Sequence, residues 1–135
     1  YLLATEFMAR AHEVGYTKFT EMASHYYDVL RKAANLTDPN KRVYFLSHVD
    51  TDERGQVRAK TIGKLLNEKI TVEGLVTIVL RTHVINGKYV FSTRNSGSDT
   101  VKTPLELFTE EHIDNDLAAL DAAITNYYEL NQAAA

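Results

Sequence analysis

Asn86-Gly87 lies inside "VEGLVTIVLRTHVINGKYVFSTRN", with β-branched and aromatic residues on both sides. Asn-Gly flanked by such runs is the strongest short-range signal for a two-residue type I′ turn, because both turn residues must take positive φ. An antiparallel hairpin is therefore expected here. It places "STRNSG" just past the end of the second strand.

The elements around the hairpin are α-helical upstream and downstream. "EFMARAHEV" reads as the end of a helix that stops at Gly15. "TKFTEMASHYYDVLRKAANL" is the clearest helix: Phe19, Met22, Tyr26, Val29, Leu30 and Ala33 recur every three or four residues. Asp28 and Lys32 offer an i,i+4 ion pair, and Pro39 breaks the helix. Val43-Tyr44-Phe45-Leu46 then reads as a strand buried on both faces. "TIGKLLNEKI" fits a short helix or an irregular connector, "SGSDTVKTP" a loop and "PLELF" a turn. "NDLAALDAAITNYYEL" is helical, with a stripe of Leu117, Leu120, Ile124 and Tyr128 and Asn115 as its N-cap. A helix feeding a buried strand, followed by a hairpin, predicts an α/β fold: a mostly parallel sheet with an edge β-hairpin and flanking helices, in a single domain over residues 1–135.

Composition narrows the function classes. With no cysteine, there are no disulfides and no thiolate metal sites. No apolar run approaches the ~20 residues of a membrane span. The net charge of −3 is unevenly spread. All 15 Lys and Arg fall in residues 1–102 against 11 acids, leaving +4 there; residues 103–135 carry −7. The body can face an anion that the tail would repel. The simpler account of the tail is a solvated acidic helix. The chain opens at Tyr1 inside an apolar pattern and closes on Ala133-Ala134-Ala135, so a piece of a longer protein is expected.

"SHVDTDERGQVRAK" follows the apolar run and crowds charge around Gly55. Asp50, Asp52 and Gly55 echo a calcium loop, but Arg54 takes the next ligand position and Thr61 stands where a bidentate Glu is needed. The five His show no HxxxH or HExxH spacing. Ser47 and His48 are adjacent, which does not build a triad on a strand whose side chains alternate. His48 is placed where open α/β sheets hold ligands, at the C-terminal end of the expected strand. A strand-end residue satisfied by the loop is the equal alternative. Arg54, Arg58 and Lys60, then Lys64 and Lys69, then Arg94 are the cations that could follow a phosphate backbone. Asp50, Asp52 and Glu53 match the first three in number. There is no GxxxxGK[ST] loop.

In their order, "VYFLSHVDTDERG", "KTIGKLLNEKITVEGL", "VLRTHVINGKYVFSTRNSGSDTVKTPLELF" and "IDNDLAALDAAI" resemble phage-encoded RecA-like ATPases of the single-strand annealing recombination type. The likeness runs from about Tyr1 to Tyr128. It implies the C-terminal half of a P-loop NTPase core, with the Walker A and Walker B segments upstream of Tyr1. It implies ATP and Mg²⁺ as cofactors, bound mainly by that upstream half. Its partners would be single-stranded DNA, further copies of the chain packed head to tail, and a single-strand DNA-binding protein, in the host bacterial cytoplasm. By residue, the resemblance gives His48 as the phosphate sensor and Arg94 as an arginine finger acting in trans. Lys88 and Lys102 are the further nucleotide-binding candidates. Arg54, Arg58, Lys60 and Lys64 are the DNA-binding candidates on and after a mobile loop at Val49–Lys60. The plain reading of Arg94 is a surface cation at a hairpin end. Two other functions stay open: a non-catalytic single-stranded DNA-binding or annealing module, and a structural assembly protein.

Overall fold

The computed structural model describes residues 2–13, 15–38, 40–61 and 71–129. Lys64, Lys69, Pro39 and the connector after Thr61 lie outside them. The described chain is mixed α/β: helices α1 (Leu2–Ala9), α2 (Thr17–Ala34) and α3 (Leu117–Tyr127), with strands β1 (Val49–Thr51), β2 (Val57–Ala59), β3 (Arg81–Ile85), β4 (Lys88–Ser92) and β5 (His112–Asp114). No described helix is long and apolar enough to cross a membrane. The chain divides into two compact units. One comprises residues 1–49 and 59–75, and the other residues 50–58 and 76–135.

The first unit is built on α2. Met22, Ala23 and Leu30 form its buried stripe, while Phe19 and Val29 from the expected stripe stay substantially exposed. The inward position ahead of Met22 belongs instead to Lys18. Its ammonium donates to the carbonyls of Arg10, Ala11 and Glu13, beyond the end of α1. It also lies 5.9 Å and 5.3 Å from the ring centres of Phe7 and Phe19. One buried cation thus closes the end of α1 and fixes it to α2. Arg10 reinforces this corner through Glu13 and Glu21, both at 2.6 Å. Asp28 pairs with Arg31 at 3.3 Å rather than with Lys32.

A 3-10 turn, Val72–Leu75, packs against α2 and buries Val72 and Glu73. The Glu73 carboxylate accepts the backbone N–H of Ala59 at 2.7 Å. Burial pushes the Tyr26 phenol above its usual range, and the charge of Glu73 adds to the shift.

The second unit holds the hairpin. Asn86 (φ 50°) and Gly87 (φ 78°) both take positive φ, as a type I′ turn requires, and Ile85 pairs with Lys88. β5 adds to β4 through Val90–Asp114, Phe91–Ile113 and Ser92–His112. All pairings in this three-stranded sheet are antiparallel. β1 and β2 form a separate two-stranded ribbon.

Two expectations are corrected. The described sheets are small and antiparallel, and none is mostly parallel. Val43–Leu46 is not a buried strand: it runs as coil with all four side chains exposed, Leu46 at 88%. Its apolarity reports what the segment could bury, and no described strand pairs with it. The N-cap of α3 also moves by one residue. Asp116, not Asn115, takes the extended conformation and accepts the N–H groups of Ala118 and Ala119. Asp116→Ala should therefore cost about 1 kcal/mol in urea unfolding. Asn115→Ala should stay within a few tenths, and equal losses would contradict this cap.

Candidate functional site

Within the second unit, the chain beyond β4 folds into an open cleft of about 360 Å³. Its lining includes Arg94, Asn95, Lys102 and Thr103 and, from the turn that follows, Leu105, Glu106 and Phe108.

Thr93 fixes this architecture. It is 1% exposed. Its backbone N–H bonds the carbonyl of Glu111 at 3.0 Å, and its hydroxyl reaches the carbonyls of Glu110 and Glu111. Its own carbonyl accepts the hydroxyl of Thr103 at 3.2 Å. Every polar group of a buried residue is thereby satisfied, and three separated segments meet on it.

The neighbouring loop is closed by short polar side chains. Asn95 Nδ2 donates to the carbonyl of Asp99 at 2.6 Å, and Asn95 Oδ1 accepts the N–H of Gly97. Asp99 is buried and accepts from the Ser96 hydroxyl and the Val101 N–H. Lys102 is pinned through its backbone, which exchanges both hydrogen bonds with Val79 at 2.8 Å and 3.0 Å. Its side chain is left with no partner among the described residues. The "PLELF" turn is tight: Leu107 N–H bonds the Pro104 carbonyl at 3.3 Å, and Glu106 takes φ 66°. Positive φ at that third turn position is what a type II turn requires and what Gly usually supplies. The Tyr127 hydroxyl ties α3 to this turn by donating to the Leu105 carbonyl at 2.8 Å.

Two cations and one carboxylate, Glu106, therefore line the same cleft, beside the apolar Pro104, Leu105 and Phe108. The Arg94 guanidinium spends one Nη2 donor on the Thr109 carbonyl at 2.7 Å, leaving others for a ligand. Such a planar fork suits bidentate contact with phosphate or carboxylate, and Lys102 adds a point charge. This donor set suits an anion. Mg²⁺ would need carboxylates in place of the cations.

Of the residues singled out in the sequence, Arg94 and Lys102 come together here. Lys88 stands at the start of β4, beside the hairpin turn, and does not line the cleft. His48 belongs to the first unit and is exposed. Its carbonyl accepts Lys60 N–H at 2.7 Å and the Ser47 hydroxyl at 3.0 Å. It thus sits at the foot of the β1–β2 ribbon instead of at the end of a buried strand.

Arg54 and Arg58 lie on that ribbon, with Lys60 at its foot. The turn of the ribbon is closed by hydrogen bonds. Asp52 Oδ1 accepts the N–H groups of Arg54 and Gln56, both at 2.9 Å. Gly55 supplies the positive φ of 77°. These backbone bonds hold the Asp52 carboxyl below its usual range, with the charges of Arg58 and Arg54 contributing less. Thr93, Asp99 and Tyr127 were not singled out in the sequence. The crowding of Ser, Thr, Asn and Asp marked a loop, but not which distant carbonyls it would bind.

His83 on β3 and His112 on β5 meet edge to face, with ring centres 6.2 Å apart. Among the described residues no group of three or more His, Cys, Asp or Glu forms a metal-ligand set. Burial lowers the His83 pKa from its ordinary 6.5; the charges of Arg81 and His112 lower it further, and Asp99 opposes them.

No family model matches the chain, and no curated protein or solved structure matches it either.

The folded state disfavours protonated His83, so its contribution to stability is complete above pH 6.5 and is lost as pH falls through the lowered folded value. The urea midpoint of the second unit should fall between pH 7.5 and pH 5.5. His83→Gln should make that fall shallower; an unchanged slope would contradict the assignment.

Proposed function

We propose that the chain is part of a phage DNA-recombination ATPase of the RecA-like type, acting on single-stranded DNA as a head-to-tail oligomer. The observation that carries the reading is that Arg94 and Lys102 line one cleft just past the hairpin. The resemblance places a basic residue there that reaches a neighbouring subunit's nucleotide. In this reading Arg94 stabilises charge on the transferred phosphoryl group and Lys102 holds an adjacent phosphate. ATP and Mg²⁺ are held mainly by Walker segments outside this chain. The antiparallel sheet described here belongs to the edge of a larger, mostly parallel core.

His48, at the foot of the ribbon, senses the nucleotide, and Arg54, Arg58, Lys60 and Lys64 contact DNA. The support for reading them together is proximity: Lys60 N–H bonds the carbonyl of His48 at the foot of the ribbon.

A non-catalytic single-stranded DNA-binding module is the second reading. It is favoured by the bond that already ties Arg94 to the Thr109 carbonyl, which a surface cation would also make.

DNA-stimulated ATP hydrolysis by the natural protein separates the two. Arg94→Ala should lower kcat by about 10³-fold or more, the range for arginine fingers, with nucleotide affinity largely kept. Hydrolysis by that variant at the wild-type rate would overturn the role of Arg94.

A further inference from the structure

Asn86-Gly87 is the only Asn-Gly pair in the chain. Besides setting the hairpin turn, it brings together two groups that react with each other: the Asn86 side-chain amide and the backbone nitrogen that follows it. That nitrogen can attack the side-chain carbonyl carbon and close a five-membered ring. A side chain on the following residue hinders the approach, and glycine has none. Asparagine is for this reason among the thermolabile residues.

The fold leaves this pair open. Asn86 and Gly87 are both exposed. Both take positive φ at the apex of the turn, and a Cβ built on Gly87 would meet nothing within 4 Å. Ile85 pairs with Lys88, so the strand ladder closes below the turn and the Gly87 N–H is not part of it. Among the described residues nothing bonds that N–H or the Asn86 amide. Asn95 is the contrast. Its Nδ2 donates to the Asp99 carbonyl and its Oδ1 accepts the Gly97 N–H, both at 2.6 Å, and Ser96 follows it. Asn35, Asn40, Asn115 and Asn126 precede Leu36, Lys41, Asp116 and Tyr127, which all carry side chains.

We propose that Asn86 is a site of spontaneous deamidation, and that one of its two products opens the hairpin turn. The Gly87 nitrogen loses its proton and bonds to the Asn86 side-chain carbonyl carbon. The bond from that carbon to the side-chain nitrogen breaks, and the nitrogen leaves with the proton as ammonia. The cyclic imide then takes up one water. Breaking its side-chain carbonyl–nitrogen bond gives aspartate. Breaking the original peptide bond gives isoaspartate, whose main chain runs through the side-chain carbons. The products differ in fit. Asp-Gly takes the same type I′ turn. Isoaspartate adds a backbone methylene between Ile85 and Lys88, which a two-residue loop does not accommodate, so the pair that closes the ladder is the first lost. The change falls on the hairpin whose second strand, β4, leads into Thr93.

The test is storage of the full chain in warm, mildly alkaline buffer made with heavy-oxygen water, followed by tryptic peptide mapping in ordinary water. Trypsin separates residues 82–88 from residues 95–102, so Asn86 and Asn95 are read independently. The 82–88 peptide should split into aspartate and isoaspartate forms, each carrying one heavy oxygen, while the 95–102 peptide stays unchanged. A parallel sample unfolded in guanidinium should convert Asn86 at a similar rate, because the turn gives no protection. Asn86 left intact in the folded chain, or Asn95 converting there as fast as Asn86, would overturn the site. The isoaspartate form, isolated by chromatography, should unfold at lower urea than the fresh chain. Asn86→Asp should match the fresh chain, since it carries the charge without the methylene. Equal urea midpoints for the isoaspartate form and Asn86→Asp would overturn the opened turn.

Discussion

The buried hydroxyl and backbone of Thr93 are the constraint on which the candidate cleft depends. An extended chain leaving β4 would otherwise run into solvent. Instead Thr93 binds the carbonyls of Glu110 and Glu111 and receives the hydroxyl of Thr103. A threonine at 1% exposure cannot leave these groups unmet without losing their full desolvation cost, on the order of 1–3 kcal/mol. The bonds therefore select one path for residues 94–109, and that path sets Arg94 and Lys102 on the walls of the same cleft. The turn at Glu106 adds to its lining, and the Tyr127 hydroxyl ties that turn to α3.

The first unit shows the same logic with a charge in place of a hydroxyl. Lys18 is buried because three carbonyls beyond the end of α1 converge on it and two aromatic rings flank it. Removing it would take a donor from all three, so a residue that reads as polar surface is a packing element. In each unit one buried polar group thus bonds several backbone carbonyls, near in sequence for Lys18 and far for Thr93.

What could be read in the sequence was local. Asn86-Gly87 specified its turn because only a few residue types tolerate two successive positive φ values. Helix α2 was legible from Met22 and Leu30, though Lys18 replaced Phe19 as the inward residue. At the start of α3, Asn115 and Asp116 are equally good caps by type, and only the geometry selects Asp116. Long-range relations were not legible. Val43–Leu46 has the composition of a doubly buried strand, but composition does not say whether neighbouring strands are there to cover it. For the candidate site, Arg94 and Lys102 could each be named as cations. Their meeting depends on Thr93 bonding a segment 17 residues away, which no local pattern encodes.

The central claim is that the path fixed by Thr93 makes Arg94 and Lys102 a phosphate-binding pair. Backbone and guanidinium chemical-shift mapping with inorganic pyrophosphate tests it most directly. The account predicts saturable shifts at Arg94, Asn95, Lys102 and Thr103, including the Arg94 side-chain N–H groups, and their loss in Thr93→Val. Shifts confined to Arg54, Arg58 and Lys60, or a full response at Arg94 and Lys102 in Thr93→Val, would contradict it.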